Sequence, residues 1–270
     1  MLQTPADTAI QLGGYREWAV AGPMAQLCQA AWIYEAGDAP VSHRLLPDQN
    51  PSLILIFQTD FSGRISDGEM MIGGGCNTAV WYRPKPGELQ IAYRLYPEVA
   101  AEMMGVCPKE YQNTSAAPPR DLAHCLDGLL EDAITSSPET LLSKMGRRLM
   151  ASSREIALRD EQRAARLIRA SGGQISIAGI ATKLGCSERK IRRGFNSTMG
   201  MSPKAYGRLI RHVEAICMAD DMADPDWADI AIANGYCDQS HLIREVKQLT
   251  GASPARLHAE RRSESEISNT

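Results

Sequence analysis

The sequence predicts an α+β multidomain protein: an N-terminal β-barrel or sandwich, then an all-α domain in which two helix-turn-helix units are joined by a long helix. Three observations lead there. Short runs of strand formers, punctuated by glycine and proline, fill the first hundred or so residues. Helical spacing takes over beyond Pro118-Pro119. A segment of the C-terminal region then recurs about fifty residues later. A chain of 270 residues is long enough for two domains. The expected organisation is a β-rich domain over 1–114, a linker with helices over 115–158, a helical domain over 159–262, and a disordered polar tail over 263–270.

In the front half, Leu53 to Phe57 is a continuous run of strand formers, and Leu89 to Tyr96 alternates. Leu89, Ile91, Tyr93 and Leu95 should share one face of a strand, with Gln90 and Arg94 on the other. Gly73-Gly74-Gly75, Pro84, Pro86-Gly87 and Pro97 mark the turns. Ser115 to Pro119 reads as a linker. Leu122, Cys125, Leu126, Leu129 and Leu130, and then Leu141, Leu142, Met145 and Leu149, follow helical spacing. The second of these helices opens at Ser137-Pro138, a cap residue with proline at the first helical position. These two leucine-rich stretches could equally be domain core or a dimer interface.

The repeat carries most of the information. Ile180-Ala181-Thr182-Lys183-Leu184-Gly185 recurs as Ile230-Ala231-Ile232-Ala233-Asn234-Gly235. After one extra residue in the turn, Ile191 matches Leu242, Arg193 matches Arg244, Phe195 matches Val246, Gly200 matches Gly251 and Ser202-Pro203 matches Ser253-Pro254. In each copy a small alanine (Ala181, Ala231) allows a second helix to cross closely. A glycine (Gly185, Gly235) ends the first helix where a left-handed residue is needed. Ser187 or Asp238 then caps the second helix. That helix turns Ile191 and Phe195, or Leu242 and Val246, inward and the rest outward, which is where a recognition helix meets the major groove.

The outward residues of the first copy include Arg189, Lys190, Arg192 and Arg193, four cations within five positions. Guanidinium forks suit guanine edges and phosphates. The second copy offers Gln239, Ser240, His241, Ile243, Arg244 and Lys247. Between the copies, Pro203 to about Asp220 reads as one helix spanning roughly 27 Å, near the ~34 Å between successive major grooves on one DNA face.

Charge agrees with this division. The net charge of −3 splits into −5 over residues 1–159, +4 over 160–262 and −2 over the last eight residues, so the polyanion-facing part is the back half. Seven scattered cysteines with no C-x-x-C pair fit a reducing cytoplasm and argue against a structural zinc or a disulfide framework. No apolar run is long enough to span a bilayer and Met1 to Ile10 lacks the features of a signal peptide, so a cytoplasmic protein without membrane contact is expected.

The stretch Ile230 to Leu242, continuing through Lys247, Gly251 and Ser253-Pro254, resembles the AraC/XylS family of bacterial transcription regulators, and the likeness extends over about Asp160 to Arg262. Leu242, Val246 and Leu257-His258 depart from the family's usual phenylalanines and tyrosine-arginine. The resemblance implies seven helices, double-stranded DNA and RNA polymerase as partners, activation more often than repression, and a homodimer. By position it assigns base contact to Arg189, Arg192 and Arg193, and to Gln239, Ser240, His241, Ile243 and Arg244. His43-Arg44 through Pro47-Asp48, followed by Leu53 to Phe57, is similar to the β-barrel, cupin-like sensing domains of the same family.

For a small-molecule effector the candidate lining is Trp32, Tyr34, His43, Arg44, Tyr82, Tyr93 and Arg94. A barrel enzyme would want two or three histidines with a carboxylate. The front half offers His43 alone, and His124 lies in the helical stretch behind it, so neither a metal, a cofactor nor an enzyme is expected. An effector-independent co-regulator or repressor is the remaining alternative.

Overall fold

In the computed structural model the described residues are 11–12, 14–60, 63–104, 107–152 and 157–267. The chain forms two compact units. The first comprises Met1–His43, Asn50–Gly75 and Trp81–Ala157. The second comprises Arg44–Gln49, Cys76–Val80 and Leu158–Thr270.

The first unit is built on an antiparallel sheet of seven strands in the order β1 (Gln11–Leu12), β2 (Tyr15–Ala19), β3 (Cys28–Glu35), β8 (Glu88–Leu95), β5 (Ser52–Thr59), β6 (Ile65–Gly73) and β9 (Ser115–Ala116). The short β4 (His43–Leu45) and β7 (Val80–Tyr82) pair separately. Alternation decides the two faces. Leu53, Leu55 and Phe57 of β5 lie opposite Tyr93, Ile91 and Leu89 of β8, so all point to one side, and each is at most 9% exposed. On that side they meet Leu122 of α2 (Arg120–Cys125), Leu126, Leu129 of α3 (Leu129–Asp132), and Leu141, Leu142, Met145 and Leu149 of α4 (Pro138–Ser152). A further helix, α1 (Pro97–Met104), follows β8 and adds Ala100. The buried leucines of these helices are therefore domain core.

A barrel would need the sheet edges to meet. Among the described residues β1 and β9 stand at opposite ends and the sheet stays open. The helical layer already covers the apolar face, so closure is not required to keep it from water; the architecture is sandwich-like. The stretch expected as a linker begins as an edge strand, with Ser115 opposite Gly73 and Ala116 opposite Ile72.

The second unit contains seven helices among its described residues: α5 (Asp160–Ala170), α6 (Ile177–Leu184), α7 (Glu188–Met199), α8 (Pro203–Asp220), α9 (Trp227–Ala233), α10 (Gln239–Thr250) and α11 (Pro254–Ile267). One core gathers Ala164, Ala165, Ile168, Ile180, Ile191, Phe195, Met199 and Tyr206; the other gathers Ala215, Ile216, Ala219, Ile230, Ala231, Tyr236, Leu242, Val246 and Leu257. Each repeat thus has its own core, and α8 contributes to both. The polar tail expected to be disordered is helical through Ile267, because a helix started at Pro254 extends at little cost per residue. The last three residues lie outside the described part.

His212 on α8 is fully buried, and neither ring nitrogen has a hydrogen-bond partner among the described residues. Burial, aided by the nearby Arg261 charge, pulls its pKa from 6.5 down to about 4. Above about pH 6.5 both folded and unfolded chains hold it neutral. As the pH falls below that, only the unfolded chain takes up the proton, and stability is lost until the folded pKa is reached, by at most roughly 3 kcal/mol. Urea unfolding at about pH 7.5 and about pH 5 should show this loss in the wild type and a smaller one in His212→Leu. Equal losses in both proteins would assign the acid sensitivity to other groups.

Candidate nucleic-acid interface

The first helix-turn-helix is assembled as its residue types require. Ser176 caps α6 by accepting from the Gly179 amide at 3.0 Å. Gly185 follows at φ 63°, a conformation open to glycine at little cost. Ser187 accepts from the Lys190 amide at 3.2 Å and starts α7. Ile191, Phe195 and Met199 hold α7 against the core, leaving Glu188, Arg189, Arg192, Arg193 and Asn196 on an exposed stripe.

The cations expected there are not equivalent. Lys190 is drawn to α5, its Nζ 2.6 Å from Asp160 Oδ2; this hydrogen bond raises the lysine pKa and lowers that of the aspartate. Arg192 donates to Glu188 Oε2 at 3.0 Å, one turn back on the same face. Arg189 and Arg193 are exposed and have no ion-pair partner among the described residues, so they are the ones already available to an anion.

The second unit repeats the pattern. Asp226 caps α9 through the Ala228 and Asp229 amides, Gly235 turns the chain at φ 72°, and Asp238 accepts from the His241 amide at 2.7 Å. Gln239, Ser240, Arg244 and Lys247 are exposed and Ile243 is half-buried, in a stripe along α10. His241 is less free. Its ring meets the Tyr236 ring edge-on at 5.3 Å, and the Cys237 amide donates to its Nδ1 at 3.4 Å.

The two helix-turn-helix copies touch directly. Gln174, in the loop after α5, donates to the Ala233 carbonyl at 3.4 Å and lies against Gly235. Gly173, at φ 75°, sits so close to α8 that a Cβ there would be 2.2 Å from the Gly207 carbonyl oxygen. The Phe195 and Tyr206 rings, 5.5 Å apart, join α7 to α8.

The candidate effector residues separate. Trp32 and Tyr34 of β3, and Arg94 of β8, share the sheet face opposite the helices. His43 lies 5.7 Å from the Tyr34 ring and 5.6 Å from the Tyr82 ring. Arg94 donates to the Tyr15 hydroxyl at 3.0 Å and pairs with Glu17, also at 3.0 Å, while Tyr82 bonds to Glu88 and receives from Gln90. The Trp32 indole nitrogen is buried and has no partner among the described residues. Tyr93 is on the other face, donating to the Leu142 carbonyl at 3.2 Å. Arg44 belongs to the second unit, where it donates to the Thr250 carbonyl at the end of α10 and pairs with Glu260 at 3.3 Å. The sequence reading missed Glu245, a buried carboxylate on α10. Its signal was present, since Leu242, Glu245 and Val246 occupy one inward stripe.

No curated protein matches the chain. In overall structure it is similar to ToxT from Vibrio cholerae O395, at 11% identity and a TM-score of 0.45, covering 85% of this chain and 96% of that one. It is likewise similar to ToxT from Vibrio cholerae strain SCE256 with an unsaturated fatty acid bound (9% identity, TM-score 0.44, 86% and 95% covered). A DNA-binding transcriptional dual regulator from Escherichia coli K-12 matches 41% of this chain and 99% of its own, at 16% identity and a TM-score of 0.36. The family described as "Helix-turn-helix domain" matches residues 180–260, the span from α6 into α11. With the turn and the capped helix after it present twice inside that span, residues 180–260 are a helix-turn-helix domain.

Proposed function

We propose that this protein is a sequence-specific transcription activator whose α7 and α10 enter adjacent major grooves on one face of a DNA duplex. The observation that carries the reading is the pair of capped helices, each with an exposed polar stripe, tied together by the 18-residue α8. Arg189, Arg192 and Arg193 are assigned to the first groove, and Gln239, Ser240, Ile243 and Arg244 to the second, with Lys190 and Lys247 toward phosphates and His241 at the edge. RNA polymerase is the partner that activation requires. The first unit is assigned dimerisation or the binding of a small organic effector without metal, at the face carrying Trp32, Tyr34, Tyr82 and Arg94. The site of action is the cytoplasm.

Selection from random duplex DNA with the full-length chain, followed by footprinting, tests this. The expected footprint shows two protected segments per protomer about 10 bp apart. Protection of a single segment would leave the second unit structural, and failure to enrich any sequence would defeat the DNA-reading assignment.

A further inference from the structure

We propose that Glu245 is a positioning residue for the second recognition helix: from its buried place on α10 it clamps that helix to the connector α8, and so sets the spacing of the two helices on DNA. The proposal rests on the DNA-binding reading above.

A carboxylate on the inward stripe of a helix loses its water and must find charged or hydrogen-bonding partners. Glu245 is 5% exposed and finds them on α8. Arg208 Nε donates to its Oε2 at 2.8 Å, and Arg211 Nη2 is 3.7 Å from its Oε1. Through Nη2 the Arg208 guanidinium also donates to Gln248 Oε1 at 2.7 Å, gripping α10 at two points almost one turn apart. Arg211 lies over the Tyr236 ring at 5.2 Å, and His241 Nε2 is 4.0 Å from Glu245 Oε2. One carboxylate therefore links the connector, the residue after the turn and the recognition helix itself.

Beside this cluster, Ala215, Ile216 and Ala219 of α8 and Leu242 and Val246 of α10 belong to one apolar core. Apolar burial of this kind is non-directional and leaves one helix free to turn slightly on the other. A forked guanidinium holding two acceptors does not. At the matching position the first unit has Gly194, with the Glu161 side chain of α5 lying over it, so this carboxylate on the recognition helix belongs to the second unit alone. Glu245 faces away from the stripe of Gln239, Ser240, Arg244 and Lys247, so its effect on DNA must pass through helix placement.

The test uses full-length protein on the selected site, on the same site with one base pair added or removed between the segments, and on the first segment alone. Glu245→Gln should weaken binding at the native spacing by about tenfold and flatten the preference among the three spacings, while binding to the first segment is unchanged. Arg208→Lys keeps the charge but lacks the planar fork that holds Glu245 and Gln248 together, and should flatten the preference even if Glu245→Gln folds poorly. Wild-type spacing preference in both variants overturns the proposal. So does an equal loss at all spacings in variants with wild-type unfolding curves. Failure of the wild type to select any site is seen before a variant is made, and it condemns the DNA reading itself.

Discussion

Arg193→Ala, and separately Arg189→Ala, should each weaken specific DNA binding by about 1–3 kcal/mol, or about 5- to 150-fold. These two guanidiniums stand exposed on α7 without an ion-pair partner among the described residues, so binding DNA breaks no existing bond. Arg192 must first leave Glu188, and Lys190 must leave Asp160. Lys190→Ala should therefore cost least of the four. Titration against salt separates the roles: loss of a phosphate contact lowers the slope of log K on log salt by about one, whereas loss of a base contact relaxes specificity. Wild-type affinity in both Arg189→Ala and Arg193→Ala would remove α7 from the proposed interface.

Phe195→Ala should have a comparable effect by a different route. The ring is fully buried among Ile168, Ile180, Ile191 and Tyr206, and it is the largest side chain fixing α7. Deleting it should destabilise the C-terminal unit by about 3–5 kcal/mol, a large part of the roughly 5–15 kcal/mol that holds a typical domain. Denaturant unfolding measures the loss directly, and DNA affinity should fall with it because the Arg189–Arg193 stripe loses its support. A loss below about 1 kcal/mol would mean that the surrounding side chains close the cavity.

The helical half was legible in the sequence because its signals are local. Ser187 and Asp238 cap helices whatever the rest of the chain does, and each accepts the amide its position predicts. In the front half, a continuous run of strand formers marked β5, and alternation marked β8 and sorted Leu89, Ile91, Tyr93 and Leu95 onto one face. Whether the sheet closes was not legible, since that depends on how many helices cover its apolar side. Arg44 and Tyr93 were grouped with Trp32 by residue type alone; strand register and the path of the chain place them elsewhere. Glu245 differs from the outward-facing charges of α10 only in its phase, which it shares with Leu242 and Val246.

The second unit takes in two stretches from far upstream. Leu46 packs on the Leu242–Val246 core, the Cys76 amide bonds to the Asp48 carbonyl at 2.6 Å, and the Ala79 amide bonds to the Leu249 carbonyl at 3.0 Å. On the ribosome these stretches emerge well before the helices they pack against. At roughly 5–20 residues per second they wait about 8–40 s. The sheet core is complete in sequence by Leu149, whereas the second unit's core needs Leu257. The helical unit is therefore the last to mature, and a nascent chain stalled between residues 46 and 257 carries Leu46 without the complete core that shelters it.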